Sequence, residues 1–142
     1  MTILNIRIEE NGLTPDIYIR LRKKVGFKFY PAEDVEIALK KNLYSVVVYD
    51  GDRPIGIGRI VGDDRIVFFI KDIVVDPDYQ KRNIGELIMK NILHYVSLNA
   101  CPGAYVGLMA TAGTEDFYRK LGFQVRPNDT MGPGMVQFYN PN

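Results

Sequence analysis

Apolar and polar residues alternate from Ile3 to Ile8, the period-two signature of a strand with one buried face. The segment "NGLTPD" then turns and offers Thr14 as a helix N-cap with Pro15 at the first helical position. Ile17, Leu21 and Val25 give the helix that follows its apolar stripe. After "GFKFYP", Val35, Ile37 and Leu39 lie among Glu33, Asp34, Glu36, Lys40 and Lys41. Acids come first and bases last, as the helix dipole favours, so a second short helix is expected. Three strands follow. Tyr44–Tyr49 and Ile55–Val61 flank "DGDRP", and Ile66–Val75 follows "GDD", which predicts an antiparallel meander. Gly56 and Gly58 fall on one face of their strand and either admit a ligand near the backbone or fit tightly against a helix.

The pattern changes abruptly in "KDIVVDPDYQKRNIGELIMKNIL". "VFFIKDIVV" is apolar on both faces apart from Lys71 and Asp72, as suits a central strand. From Ile84, the residues Leu87, Ile88, Ile92, Tyr95 and Val96 form a broad helical face. Between them lies "QKRNIG". The first turn of a helix carries unpaired N–H groups and a partial positive charge, a ready site for phosphate. Gly85 allows close approach, Asn83 tolerates positive φ, and Lys81 and Arg82 add positive charge. On composition alone, an ordinary strand-to-helix loop with solvated cations is the better reading.

Length and charge narrow the classes. The chain has 142 residues, enough for one domain spanning 1–142 with a real core. Hydrophobic residues make up 46% and charged residues 25%, which excludes disordered and collagen-like classes. A formal net charge of +1 gives no single-sign field to recruit nucleic acid or an anionic membrane, so neither is an expected partner. Cys101 has no second cysteine to pair with, residues 1–10 lack the character of a secretory signal, and no apolar run is long enough to span a bilayer. A cytoplasmic domain is the expectation. His94, with Glu86 and Lys90, falls on the polar side of the long helix, and one His with one Cys offers no basis for a metal site.

"VVDPDYQKRNIGELIM" resembles the pyrophosphate-binding motif of the GNAT superfamily of N-acetyltransferases, written Q/R-x-x-G-x-G/A after a strand ending in V-x-P-x-Y. Gln80 and Gly85 match, while Asn83 stands where the first glycine is usual. "TEDFYRKLGFQV", residues 114–125, resembles the family's late "FY-x-K-LGF" signature, and the two motifs occur in the family's order. The resemblance implies an α/β fold of the α+β type. Its mixed, mostly antiparallel sheet would have a V-shaped splay between two parallel central strands, flanked by helices. It also implies acetyl-CoA as acyl donor, with no metal, and transfer of the acetyl group to a primary amine of a small molecule or peptide. A non-catalytic acyl-CoA-binding module is the alternative on the same fold.

Carried over residue by residue, the resemblance places Ile73, Val74 and Val75 along pantetheine. Gln80, Lys81, Arg82, Asn83, Ile84, Gly85 and Glu86 would lie at the pyrophosphate, with Lys120 near the adenosine 3′-phosphate. Tyr118 matches the tyrosine that protonates the leaving thiolate in relatives, although its spacing with Phe117 and Leu121 also fits a core aromatic. Asp72 interrupts an apolar strand and is either a general base or one half of an ion pair with Lys71 or Arg59. Phe27, Phe29 and Tyr30 connect the early helices, where this fold lines the acceptor site; they either bind the acceptor or cap the core. Met135–Tyr139 is predicted as a last strand, whose edge would serve a homodimer.

Overall fold

A computed structural model describes residues 4–141. The chain forms two compact units, one extending through Leu108 and the other beginning at Met109. The first contains β1 (Ile6–Glu10), α1 (Pro15–Lys24), α2 (Ala32–Leu39), β2 (Tyr44–Asp50), β3 (Arg53–Gly62) and β4 (Val67–Val75). A turn of 3-10 helix (Pro77–Tyr79), α3 (Ile84–Asn99) and β5 (Tyr105–Leu108) complete it. The second contains α4 (Glu115–Arg119). Ile3, the predicted start of β1, lies outside the described residues.

The sheet runs in chain order, β1-β2-β3-β4-β5, antiparallel throughout except for the parallel pair β4 and β5. Short polar turns explain the meander, and α3 supplies the crossover that a parallel pair requires. Thr14 caps α1 as its sequence predicts, its Oγ1 accepting from the Ile17 N–H at 3.3 Å. One sheet face packs on α1 and α2 through Leu13, Ile17, Tyr18, Leu21, Val35, Val47, Ile57 and Val74, all buried. The opposite face packs on α3, where Ile88, Met89 and Ile92 are fully enclosed.

Gly56 and Gly58 belong to the α3 face, and close helix packing is their use. A Cβ on Gly58 would lie 2.7 Å from Ile88, 2.8 Å from Ile73 and 2.9 Å from Ile92. Gly58→Val is therefore expected to overpack this layer and cost roughly 1–3 kcal/mol. Urea unfolding with an unchanged m-value is the measurement.

The last predicted strand does not form. Residues 120–141 are irregular, and Met135, Val136, Phe138 and Tyr139 are largely exposed. Four of the five residues of "MVQFY" are apolar, which suits a strand, but a short apolar run does not by itself specify one.

Candidate functional site

The parallel pair is short. β4 runs beside β5 only from Val67 to Ile70, opposite Tyr105 to Leu108, and then continues to Val75 without it. On its other side β4 remains paired with β3, with Ile57 opposite Val74 and Gly56 opposite Val75. Among the described residues, one edge of Lys71–Val75 is thus left without a strand partner, and the segment Ile73–Val75 borders it.

A bulge lies where the strands part. Arg59 pairs with Lys71 and Ile57 with Val74, so Gly58 opposes two residues, Asp72 and Ile73. Asp72 has φ +58°, a left-handed conformation that costs a side-chain-bearing residue energy. The extra residue reverses the alternation. Ile70 and Val75 share the α3 face with their partners Ile60 and Gly56, while Lys71, Asp72 and Val74 fall on the α1/α2 face. Two consecutive polar residues in an apolar strand are thereby brought to the same side.

Asp72 is buried there and enclosed by donors. Its Oδ2 accepts from the Tyr18 hydroxyl at 2.9 Å and from Arg59 Nε at 2.9 Å, and its Oδ1 accepts from Arg22 Nη1. Arg22 also donates through Nη2 to the Lys28 carbonyl at 2.7 Å, and Arg59 through Nη1 to Asn42 Oδ1 at 3.0 Å. Burial alone would raise the Asp72 pKa. The Arg59 hydrogen bond and the charges of Arg22 and Arg59 outweigh burial and hold the carboxyl below its usual range. Burial and the Asp72 charge push Tyr18 up to about 12, so it remains a donor. Of the two roles open to Asp72 on sequence, this geometry suits the ion pair: a carboxylate held so firmly as an anion is a poor base at neutral pH. Of the two partners the sequence offers, Arg59 pairs with Asp72, whereas Lys71 is exposed and makes no ion pair with it. Arg22 and Tyr18 were not anticipated, although their i, i+4 spacing beside Ile17 and Leu21 puts both on the inward side of α1.

Beyond Val75, Asp76 anchors the turn into α3. It accepts from the Asp78 N–H at 2.9 Å, Lys24 Nζ at 2.7 Å and Arg53 Nη2 at 3.0 Å. The Tyr79 hydroxyl donates to Asp50 at 2.7 Å, and the guanidinium groups of Arg53 and Arg82 lie 5.0 and 5.6 Å from the Tyr79 ring centroid. Gln80, Lys81, Arg82, Asn83 and Glu86 are exposed, while Ile84 is buried and has only its backbone to offer. Lys81 and Asn83 have φ of +63° and +62°. Asn83 thus holds the twist for which a glycine is usual, and it makes no side-chain cap. The first N–H bonded back within α3 is that of Leu87, donating to the Asn83 carbonyl at 3.1 Å. The N–H groups of Ile84, Gly85 and Glu86 therefore precede the helical ladder and suit an anion.

Phe27, Phe29 and Tyr30 divide. Phe27 is half-buried against the core, and its ring centroid lies 5.3 Å from the Arg22 guanidinium carbon; Tyr30 is exposed with its centroid at 5.7 Å. Phe29 is 71% exposed, too open to cap the core. In the second unit, Tyr118 is half-buried, edge-on to Phe117 and Phe123 at 5.0 and 6.0 Å. Its hydroxyl has no hydrogen-bond partner among the described residues, and burial raises its pKa. Lys120 is exposed, as is His94 in the first unit.

Residues 41–125 match the family described as an acetyltransferase (GNAT) domain. A crystal structure of a probable acetyltransferase of unknown function, SA2161 from Staphylococcus aureus, is 34% identical. It covers 94% of this chain and 99% of its own, with a TM-score of 0.86. The uncharacterized N-acetyltransferase ycf52 of Porphyra purpurea is 29% identical over 80% of this chain, and a chloroplastic GCN5-related N-acetyltransferase 1 of Arabidopsis thaliana is 27% identical over 89%. The chain spans 66% and 64% of the lengths of those two relatives.

Proposed function

The chain belongs to the GNAT acetyltransferase superfamily, and we propose that residues 1–142 act as a single N-acetyltransferase domain. It transfers acetyl from acetyl-CoA to a primary amine by direct attack while both are bound. The observation that carries this reading is the continuity of one path in the first unit. The free edge of β4 ends at Val75, the Asp76-anchored turn follows, and the uncapped N-terminus of α3 comes next. An extended amide-bearing arm and an anion fit those two donor sets in that order.

When bound, acetyl-CoA supplies the activated acyl group. Ile73, Val74 and Val75 would align the arm through backbone hydrogen bonds, and the N–H groups of Ile84, Gly85 and Glu86, with Gln80, Lys81, Arg82 and Asn83, would hold the pyrophosphate. Lys120 would serve the 3′-phosphate. Tyr118 is protonated at neutral pH, since a phenol titrates near about 10 and burial raises it further, so its hydroxyl would hand a proton to the departing sulfur. Asp72 positions Arg22, Arg59 and Tyr18, and the acceptor ammonium loses its proton to water. Phe27, Phe29 and Tyr30 would border the acceptor.

Titration calorimetry with coenzyme A and with acetyl-CoA tests the first half of this reading; the two are expected to bind with similar strength, since most contacts avoid the acetyl group. Gly85→Val should obstruct the backbone approach and weaken both by roughly tenfold, about 1.4 kcal/mol. Unaltered affinity in a folded Gly85→Val variant would remove the phosphate from this loop. Release of free thiol across an amine panel tests the second half, and binding without any turnover would identify an acyl-CoA sensor instead.

A further inference from the structure

We infer that the amine acceptor carries an oxyanion, a carboxylate or a phosphate, which docks on the guanidinium groups of Arg22 and Arg59. This rests on the acyl-transfer reading for the identity of the ligand, while the cluster itself is defined by side chains of the first unit.

The charges around Asp72 do not balance. Arg22 and Arg59 contribute two positive charges against one carboxylate, leaving +1, and Tyr18, whose pKa is pushed further up to about 12, is neutral. The Arg22 and Arg59 side chains are only 9% and 12% exposed, so water screens that charge poorly. Lys71, on the same face beside Arg59, adds positive charge rather than cancelling it. Among the described residues, the only acid that forms an ion pair with either arginine is Asp72.

Each guanidinium also has unused donors. Arg22 spends Nη1 on Asp72 and Nη2 on the Lys28 carbonyl, and Arg59 spends Nε on Asp72 and Nη1 on Asn42. Arg22 Nε and Arg59 Nη2 make no hydrogen bond among the described residues, yet no fully buried side-chain nitrogen there lacks a partner. Those two atoms are therefore not fully buried. Two unspent donors on a surplus positive charge match an oxyanion, and Asp72 holds both forks in place before it arrives.

The location gives the cluster its use. Asp72 lies two residues beyond Ile70, where β4 parts from β5, at the start of the free edge assigned to the acyl donor. An amine attacking there approaches along the Arg22 and Arg59 face, bordered by Phe27 and Tyr30. A simple ammonium would be repelled. An acceptor bearing an oxyanion is attracted, and the same charges favour the neutral, nucleophilic form of its amine.

Calorimetry on the full chain saturated with coenzyme A, which occupies the other phosphate-binding groups, provides the test. Benzoate, phenylphosphonate and the neutral comparator benzamide are titrated in turn. At least one anion is expected to bind saturably and at least roughly tenfold more tightly than benzamide, as suits hydrogen bonds to a charged group. A preference between the anions assigns the acceptor to carboxylates or phosphates. Arg59→Gln should abolish that preference over benzamide and leave coenzyme A affinity intact. Anions binding no better than benzamide to the wild-type protein, or equally well to a folded Arg59→Gln variant, would overturn the inference. Failure of coenzyme A itself to bind would instead overturn the acyl-transfer reading, and the wild-type comparison of anion with benzamide remains decisive if the variant does not fold.

Discussion

Tyr118→Phe is expected to lower kcat with acetyl-CoA by roughly 10²–10⁴-fold while coenzyme A affinity and stability remain essentially unchanged. The substitution removes one oxygen and keeps the ring, so the edge-on contacts with Phe117 and Phe123 survive. Because the hydroxyl has no hydrogen-bond partner among the described residues, its loss leaves no donor or acceptor stranded. Stability is therefore expected to hold or rise slightly. The kinetic loss has a different origin: an alkyl thiolate leaves poorly without a proton, whereas an aryl thioester needs no such help. Comparing kcat for both donors in wild type and Tyr118→Phe separates the roles. A selective loss with acetyl-CoA supports the acid, and equal activity returns Tyr118 to the core. In the wild-type enzyme the alkaline limb set by this group should lie above the ordinary tyrosine value of about 10, since burial raises it.

Asp72→Asn should produce the largest stability loss, roughly 3–5 kcal/mol, because it strands Arg22 and Arg59 in a poorly solvated site. An amide can still accept from Tyr18 or one arginine, but it cannot offset their charge. Folding lowers the Asp72 pKa, so in acid the unfolded chain binds more protons than the native one. The stabilisation is fully present above the unfolded value of about 4 and is lost as pH falls through the lower folded value. Chemical unfolding from neutral to acid pH should show wild type losing stability along this limb, with a shallower limb in Asp72→Asn. Asp76 still contributes to that limb, since Lys24, the Asp78 N–H and Arg53 lower its pKa against the effect of burial. The kinetics distinguish anchor from base. An anchor gives a loss of similar size at every pH in the folded variant, whereas a base gives a loss concentrated near neutrality and relieved at high pH.

The local pattern by itself determined much of the first unit. Thr14 and Pro15 mark the start of α1, the period-two runs and short polar turns specify the meander, and the change of period after Asp76 places a loop and then α3. Asn83 at φ +62° was also legible, because few non-glycine side chains accept that conformation. These features depend on neighbours a few residues apart.

What tertiary structure decided depends on residues far apart in the chain. Asp72 reaches Tyr18 across 54 positions and Arg22 across 50, and nothing in the local spacing of either segment specifies the other. The bulge at Asp72 is likewise absent from the alternation of "VFFIKDIVV", because an extra residue becomes visible only when Gly58 is laid opposite it. Met135–Tyr139 gives the converse case: its apolar composition suggests a strand, but a short apolar run does not by itself specify one, and the segment is irregular. The sequence thus determined which elements form in the first unit and where its anion-binding turn lies. Packing decided the charge beside that path, because two arginines and one aspartate combine into a net positive site only when α1, β3 and β4 meet.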